Sequence, residues 1–206
     1  MAINASSHAL DEPALGSDDI FRRRYPIVMT RTASTGAIPS LLGDLRSDHA
    51  GEVGAVMIYR GVLAGSRDPA VRHFASTHLV TERAHLALIE SLLPSGSRSL
   101  LLPIWRVAGW LTGFLPALAG SNAVHATIHA VETFVVQHYE EQIVKLPRDG
   151  LGGALKATLS ACQADEARHR DEAHQLQTAP PGMLLSLWTG MVGFGSRAAV
   201  QAARRL

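Results

Sequence analysis

The sequence lacks most of the features that hold small secreted or nucleic-acid-binding proteins together. It has one cysteine, Cys162, which cannot close an internal disulfide or build a thiolate metal site, so a reducing compartment is the expected setting. Aromatic residues make up only 5% of 206 positions, too few for a base-stacking platform and unlike a β-sandwich. The formal net charge is +1, so no global field draws nucleic acid or anionic lipid, and any such binding is local. Lysine is nearly missing: Lys145 and Lys156 are the only two among 19 basic residues, a bias that fits a GC-rich genome. No stretch alternates apolar and polar residues as a half-buried strand does. A secretory signal is not expected either, since residues 1–20 carry Asp11, Glu12, Asp18 and Asp19 and no apolar run. Those acids also count against a mitochondrial presequence, although Arg22, Arg23, Arg24 and Arg31 pull the other way.

What remains is apolar and helical. Hydrophobic residues are 47% and charged residues 18%, enough for a sizeable core and unlike a disordered chain. Residues 1–38 read as a polar flexible leader and 39–206 as one all-α domain. Within it, helices are expected from about Ser40 to Gly65, from Asp68-Pro69 to before Pro94, from Ser121 or Asn122 to Leu146-Pro147, from Leu151 to Gln177, and from Pro181-Gly182 to the end. Two of them show clean inward stripes at steps of three and four. One runs Val71, Phe74/Ala75, His78, Glu82, His85, Ile89 and Leu92; the other runs Leu155, Leu159, Cys162, Glu166, His169, Ala173 and Leu176. Four long helices joined by short turns predict an antiparallel four-helix bundle. Two further segments, 100–119 and 183–204, are apolar nearly all round and hold all three tryptophans, Trp105, Trp110 and Trp188. Prolines and arginines interrupt them, so they read as helices lying on a membrane surface more than as spans; packing on the bundle or a partner subunit is the plainer alternative.

The chemistry sits where ionisable residues break the apolar stripes. Glu82 and His85 form Glu-x-x-His, and so do Glu166 and His169; residues i and i+3 share a helix face. The two other long helices each offer one glutamate, Glu52 and Glu132. Glu52 and Glu82 stand at similar distances from the turn at Ser66, as Glu132 and Glu166 do from the turn at Asp149, so each pair should lie at one height. Four carboxylates and two imidazoles converging in a core need compensating positive charge. A pair of divalent metals supplies it, and a set of hard oxygens with two imidazoles and no thiolate favours iron or manganese. One Glu from each of two helices plus Glu-x-x-His from the other two is the di-iron bundle pattern. Around it, Asp48 and Asp165 are placed to accept a proton from a ligand imidazole. His49, His125 and His129 read as satisfied core histidines, Cys162 as packing, and Tyr59 as a buried tyrosine bonded to a backbone carbonyl.

Asp48-His49-Ala50-Gly51-Glu52, Pro103-x-Trp105, Val131-Glu132 followed by His138-Tyr139 and Gln142-Ile143, Asp165-Glu166-x-x-His169, and the closing Ser196-Arg197-Ala198-Ala199-Val200 with Arg204-Arg205-Leu206 together resemble the Coq7-type demethoxyubiquinone hydroxylases over roughly 40–206. The resemblance implies a ferritin-like di-iron monooxygenase. It would hydroxylate the ring of a polyprenylated methoxy-methyl-benzoquinol in ubiquinone biosynthesis, with O₂ as co-substrate. It also implies the ligand sets: Glu52, Glu82 and His85 for one iron, Glu132, Glu166 and His169 for the other, with Glu82 and Glu166 bridging. His138 and Tyr139 would serve substrate reduction or positioning. The reductant stays open between NADH, a reductase and the quinol itself. Implied surroundings are a polyprenyl quinol, a peripheral membrane site on the cytoplasmic face of a bacterial inner membrane (the matrix face of the mitochondrial inner membrane in a eukaryote), and an assembly of quinone-biosynthesis enzymes or a homo-oligomer, with no nucleic acid. One departure stands out: the family often has an acid just before the first motif's histidine, and this chain has Ala84, so His85 must find its support elsewhere. Two other readings compete. A tRNA-nucleoside hydroxylase would want a basic groove, and an iron-handling ferritin-like protein would want a hydrophilic exterior; the tryptophan-bearing apolar segments fit neither.

Overall fold

The computed structural model describes residues 39–206 apart from Ser95; the expected leader at 1–38 lies outside the described residues. Six helices follow one another: α1 Pro39–Gly65, α2 Pro69–Leu92, α3 Leu102–Ala119, α4 Ser121–Ile143, α5 Gly150–Gln175 and α6 Met183–Arg205. The described residues contain no strand. At the start of α2 the sequence signal is literal. Asp68 is the N-cap, its carboxylate accepts from the Ala70 N–H at 2.8 Å, and Pro69 opens the helix where a missing N–H costs nothing. The predicted 121–147 segment ends earlier, at Ile143, with a turn through Val144–Leu146.

Side-chain contacts fix the directions. Tyr59 of α1 reaches Glu132 of α4 while Tyr139 of α4 reaches Glu52 of α1, so α1 and α4 run antiparallel. His85 meets Asp165 and His78 meets Glu172, so α2 and α5 do too. With α1–α2 and α4–α5 as hairpins, α2 and α4 point the same way, and α3 is the return that makes this possible. A four-helix bundle with one long crossover is the ferritin-like topology. The core lies in two apolar layers. One is built on Val56, Val62, Phe74, Val124 and Ile128, the other on Leu45, Leu88, Ile89, Leu155 and Leu159. The ionisable residues occupy the level between them.

The crossover is more than a connector. A β-carbon on Gly109 would lie 2.6 Å from the Gly54 carbonyl, and one on Gly113 would sit on the Ile58 carbonyl oxygen. From the other side, a β-carbon on Gly61 would overlap the Trp110 carbonyl oxygen. So α3 lies backbone against backbone along α1, parallel to it. Within this apolar helix, one face carries glycines for close approach. The other face leaves Ile104, Val107, Leu111, Leu115 and Leu118 in the open. Helix α6 closes the same side, tied by Trp188 Nε1 donating to Thr127 Oγ1 at 2.9 Å and by Arg204 Nε at 2.9 Å from Asp44 Oδ1. Its outer face exposes Met183, Leu184, Leu187, Met191 and Phe194. Among the described residues no helix is long and apolar enough to cross a membrane.

A candidate metal centre at the bundle axis

Each contributing helix turns its ionisable residues inward for the reason it turns its leucines inward, because they occupy the same stripe. Glu52, Glu82, His85, Glu132, Glu166 and His169 are all buried, none more than 4% exposed. They form two overlapping groups. Ligand atoms of Glu52, Glu82, His85 and Glu166 lie within 4.8 Å of one another, and so do those of Glu82, Glu132, Glu166 and His169. Glu82 and Glu166, one from each Glu-x-x-His, belong to both. Glu166 sits between the imidazoles, 2.8 Å from His85 Nδ1 and 3.2 Å from His169 Nδ1.

Electrostatics makes this arrangement expensive without a cation. Burial first, and neighbouring carboxylates after it, push Glu82 and Glu132 well above the ordinary carboxyl range. Burial does the same to Glu52, with His85 opposing and Glu166 and Glu82 adding. Glu166 goes the other way: burial would raise it, but hydrogen bonds from His169 and His85 and their charges hold it low. Glu52 Oε2 and Glu82 Oε1 are buried without a well-formed hydrogen bond, although His85 Nδ1 stands 4.0 Å from the first and His169 Nδ1 3.0 Å from the second. Such carboxylate oxygens beside imidazole nitrogens, in a donor set without thiolate, fit divalent metal ions of the iron or manganese kind.

The surrounding residues only partly follow the sequence expectations. Asp165 Oδ2 lies 3.2 Å from His85 Nε2 and leaves Nδ1 facing the centre, so the support that Ala84 cannot give comes from α5. Asp48 does not contact a Glu-x-x-His imidazole. It takes Gln142 Nε2 at 2.6 Å and His138 Nε2 at 3.0 Å, because α1 and α4 are antiparallel and bring residue 48 level with 138–142. Tyr59, expected on a backbone carbonyl, donates to Glu132 Oε1 at 3.1 Å, and Tyr139 donates to Glu52 Oε1 at 2.5 Å. His49 and His125 are buried, yet His49 Nδ1 and His125 Nε2 lack partners. Half-buried His129 lies tilted against His174, with ring centroids 4.9 Å apart. Cys162 is fully buried in the apolar layer near α2. In the predicted α5 stripe, Leu176 falls past the helix end and is exposed.

Access to the centre is one-sided, which sequence reasoning missed. A space of about 30 Å³ borders all four carboxylates and neither imidazole of the two Glu-x-x-His pairs. Gly51, Ala55, Phe134 and Val135 line it, and they also line an apolar groove of about 350 Å³ between α1, α3, α4 and α6. Opposite, His78 packs between Tyr59 (5.8 Å), Phe74 (4.4 Å) and His169 (4.0 Å), and Phe74 meets His125 at 5.1 Å. The readable signal for the groove was small residues, Gly51, Gly54 and Ala55 on α1 and Gly109 on α3.

A ferritin-like helical bundle with Glu and Glu-x-x-His pairs converging on its axis defines the class: a bundle whose buried carboxylates and imidazoles could hold metal ions beside an apolar groove. Residues 40–203 match the sequence profile of the family described as ubiquinone biosynthesis protein COQ7, and the chain belongs to that family. A 3-demethoxyubiquinol 3-hydroxylase of Rhodospirillum rubrum is 37% identical over 171 residues, covering 79% of this chain and 76% of the relative. The NADPH-dependent 3-demethoxyubiquinone 3-hydroxylases, mitochondrial, of Dictyostelium discoideum and Caenorhabditis elegans are 33% and 30% identical. The first covers 79% of this chain and 76% of the relative, the second 87% and 98%.

Proposed function

We propose that this protein is a di-iron monooxygenase that hydroxylates the ring of a polyprenylated demethoxyubiquinol, a step of ubiquinone biosynthesis. The observation that carries the reading is the joining of an apolar groove to the carboxylate face of the centre at Gly51, Ala55, Phe134 and Val135. A charged or sugar-bearing substrate would find almost nothing to bind there, whereas a quinol ring with an isoprenoid tail would bury apolar surface along its length. Glu52, Glu82 and His85 would hold one iron and Glu132, Glu166 and His169 the other, with Glu82 and Glu166 shared. When bound, the iron pair supplies O₂ activation, and the overall balance is one oxygen atom into a ring C–H bond and one into water, at the cost of two electrons and two protons. His138 and Tyr139 adjoin the small space by the carboxylates, and we assign them to orienting the quinol head and handling its protons. Phe134, stacked 5.9 Å from His138 and lying under the Arg197 guanidinium at 5.9 Å, forms the wall along which the ring enters.

The same geometry supports a membrane-surface location. The outer faces of α3 and α6 expose Ile104, Val107, Leu111, Leu187, Met191 and Phe194 beside Arg106 and Arg197, the composition of helices that lie in a headgroup layer. The groove runs between these two helices, so a tail longer than the groove leaves it directly into lipid. We place the protein on the cytoplasmic face of a bacterial inner membrane, or on the equivalent matrix face in a mitochondrion, with a reduced nicotinamide dinucleotide as electron source. The test is reconstitution. Protein loaded anaerobically with Fe(II) should hold two irons per chain and convert a short-tailed demethoxyubiquinol to its hydroxylated product only with O₂ and reductant. A deletion strain should accumulate the demethoxy precursor; normal quinone content in that strain overturns the proposal.

A further inference from the structure

Tyr59 lines neither the groove nor the space beside the carboxylates, yet its hydroxyl is spent on a carboxylate of the centre. It is fully buried, its ring packs on Phe74 and His78, and its O–H donates to Glu132 Oε1 at 3.1 Å. The sequence repeats this device. Tyr59 follows Glu52 by seven residues on α1, and Tyr139 follows Glu132 by seven on α4. Because the two helices are antiparallel, each tyrosine reaches the other helix's glutamate. Tyr139 caps the centre from one apolar layer and Tyr59 from the other. The two differ in surroundings: Tyr139 borders the space beside the carboxylates, and Tyr59 does not.

Resting on the metal-centre reading above, we infer that Tyr59 is a positioning residue for the Glu132/His169 half. It fixes Glu132 Oε1, which would leave the other carboxylate oxygen available to a bound ion. A carboxylate on a glutamate side chain has free rotation about its last bonds, and a single donor on one oxygen removes much of it. Hydrogen-bond partners of metal ligands of this kind are worth about 10–100-fold in metal affinity. Among the described residues the Tyr59 hydroxyl bonds only Glu132, and a purely space-filling ring there would need no hydroxyl.

The experiment is an anaerobic Fe(II) titration of metal-free protein, with Mössbauer spectra of the loaded form to resolve the two ions. Wild type should bind two ions per chain. Tyr59→Phe keeps the ring and its packing and removes one oxygen; it should weaken one of the two binding steps about 10–100-fold and alter one of two spectral components. Tyr139→Phe should weaken the other step. In a Glu132→Ala background, where the remaining ion belongs to the Glu52/His85 half, adding Tyr59→Phe should change nothing. If wild type binds no divalent ion, the metal-centre reading itself fails. If wild type binds two and Tyr59→Phe titrates identically, or only lowers the melting temperature of the metal-free form, the positioning role is overturned while the centre stands.

Discussion

The two sides of the carboxylate cluster are built on opposite principles. On one side the wall is aromatic: Tyr59, Phe74, His78 and His125 pack ring against ring up to the His169 imidazole. On the other, the wall is made of what is missing. Gly51 and Ala55 on α1 leave room that larger side chains would fill, and Gly109 lets α3 lie close enough to roof the groove. In the proposed function the closed side would hold the ligands still, and the open side would admit a flat apolar substrate to the same atoms. The difference teaches that rigidity and access are divided between faces of one centre. Substitutions should therefore separate into those that alter metal or catalysis and those that alter fold.

The largest effect is expected at the residue both sides share. Glu166→Ala removes a carboxylate common to both groups and the contacts of two imidazoles, and should lower turnover by ~10³-fold or more, since a metal centre supplies several kcal/mol of transition-state stabilisation. Circular dichroism of the metal-free variant should still report the native helical content, because the apolar layers are untouched. Global unfolding of that variant would blur the division between site and scaffold. The next effect is structural and lies where α3 packs on α1. Gly113→Val drives a side chain into the Ile58 carbonyl. Overpacking of this kind costs roughly 1–3 kcal/mol or more, and in a domain of this size about 2–4 °C per kcal/mol, so a melting temperature lower by roughly 5–10 °C is expected. Gly190→Ala on α6, where a β-carbon meets nothing, is the control and should raise it slightly.

Much of this was legible in the sequence, and the failures share a cause. Glu82 with His85 and Glu166 with His169 could be paired because i, i+3 spacing is a property of one helix. Equal distances from the turns brought Glu52 and Glu132 to the right level because hairpins are local. Cross-bundle contacts had no such signal. Whether Asp48 meets an imidazole of the centre or His138 depends on α1 and α4 being antiparallel, and their direction depends on the crossover through α3. Nothing local marks Glu132 as the partner of Tyr59 in place of the expected backbone carbonyl, since the two are 73 residues apart. The glycines offered a real clue, Gly109-x-x-x-Gly113 on α3 and Gly61-x-x-x-Gly65 on α1, but spacing alone does not say which helix approaches.

A third prediction sharpens the open side. Gly51 lines both the groove and the space beside the carboxylates, and a β-carbon there would contact nothing within 4 Å. Gly51→Leu should leave stability unchanged or raised, because leucine is the better helix former by up to about 1 kcal/mol. It should still reduce kcat/KM for the quinol about 10-fold or more by narrowing the neck. Iron content should stay at the wild-type value. A loss of iron would mean that the neck and the ligand shell are not separable.

The smallest expected effect tests the closed side. Burial holds the His125 imidazole below its usual range, against the pull of the Leu176 carbonyl and the nearby Asp68 and Glu172 carboxylates. Its Nδ1 lies 3.1 Å from the Leu176 carbonyl oxygen, and its Nε2 is buried without a partner, so an added proton would find no acceptor. For a base with a lowered folded-state pKa, the unfolded chain binds the proton first. The stability that depends on the neutral ring is therefore whole above pH 6.5 and drains as pH falls below it. His125→Asn keeps an N–H for Leu176 and does not titrate. The melting-temperature advantage of wild type over this variant should shrink between pH 6.5 and pH 5. An advantage constant across that window would show that the ring's charge state is irrelevant to the closed wall, leaving its shape as the only contribution.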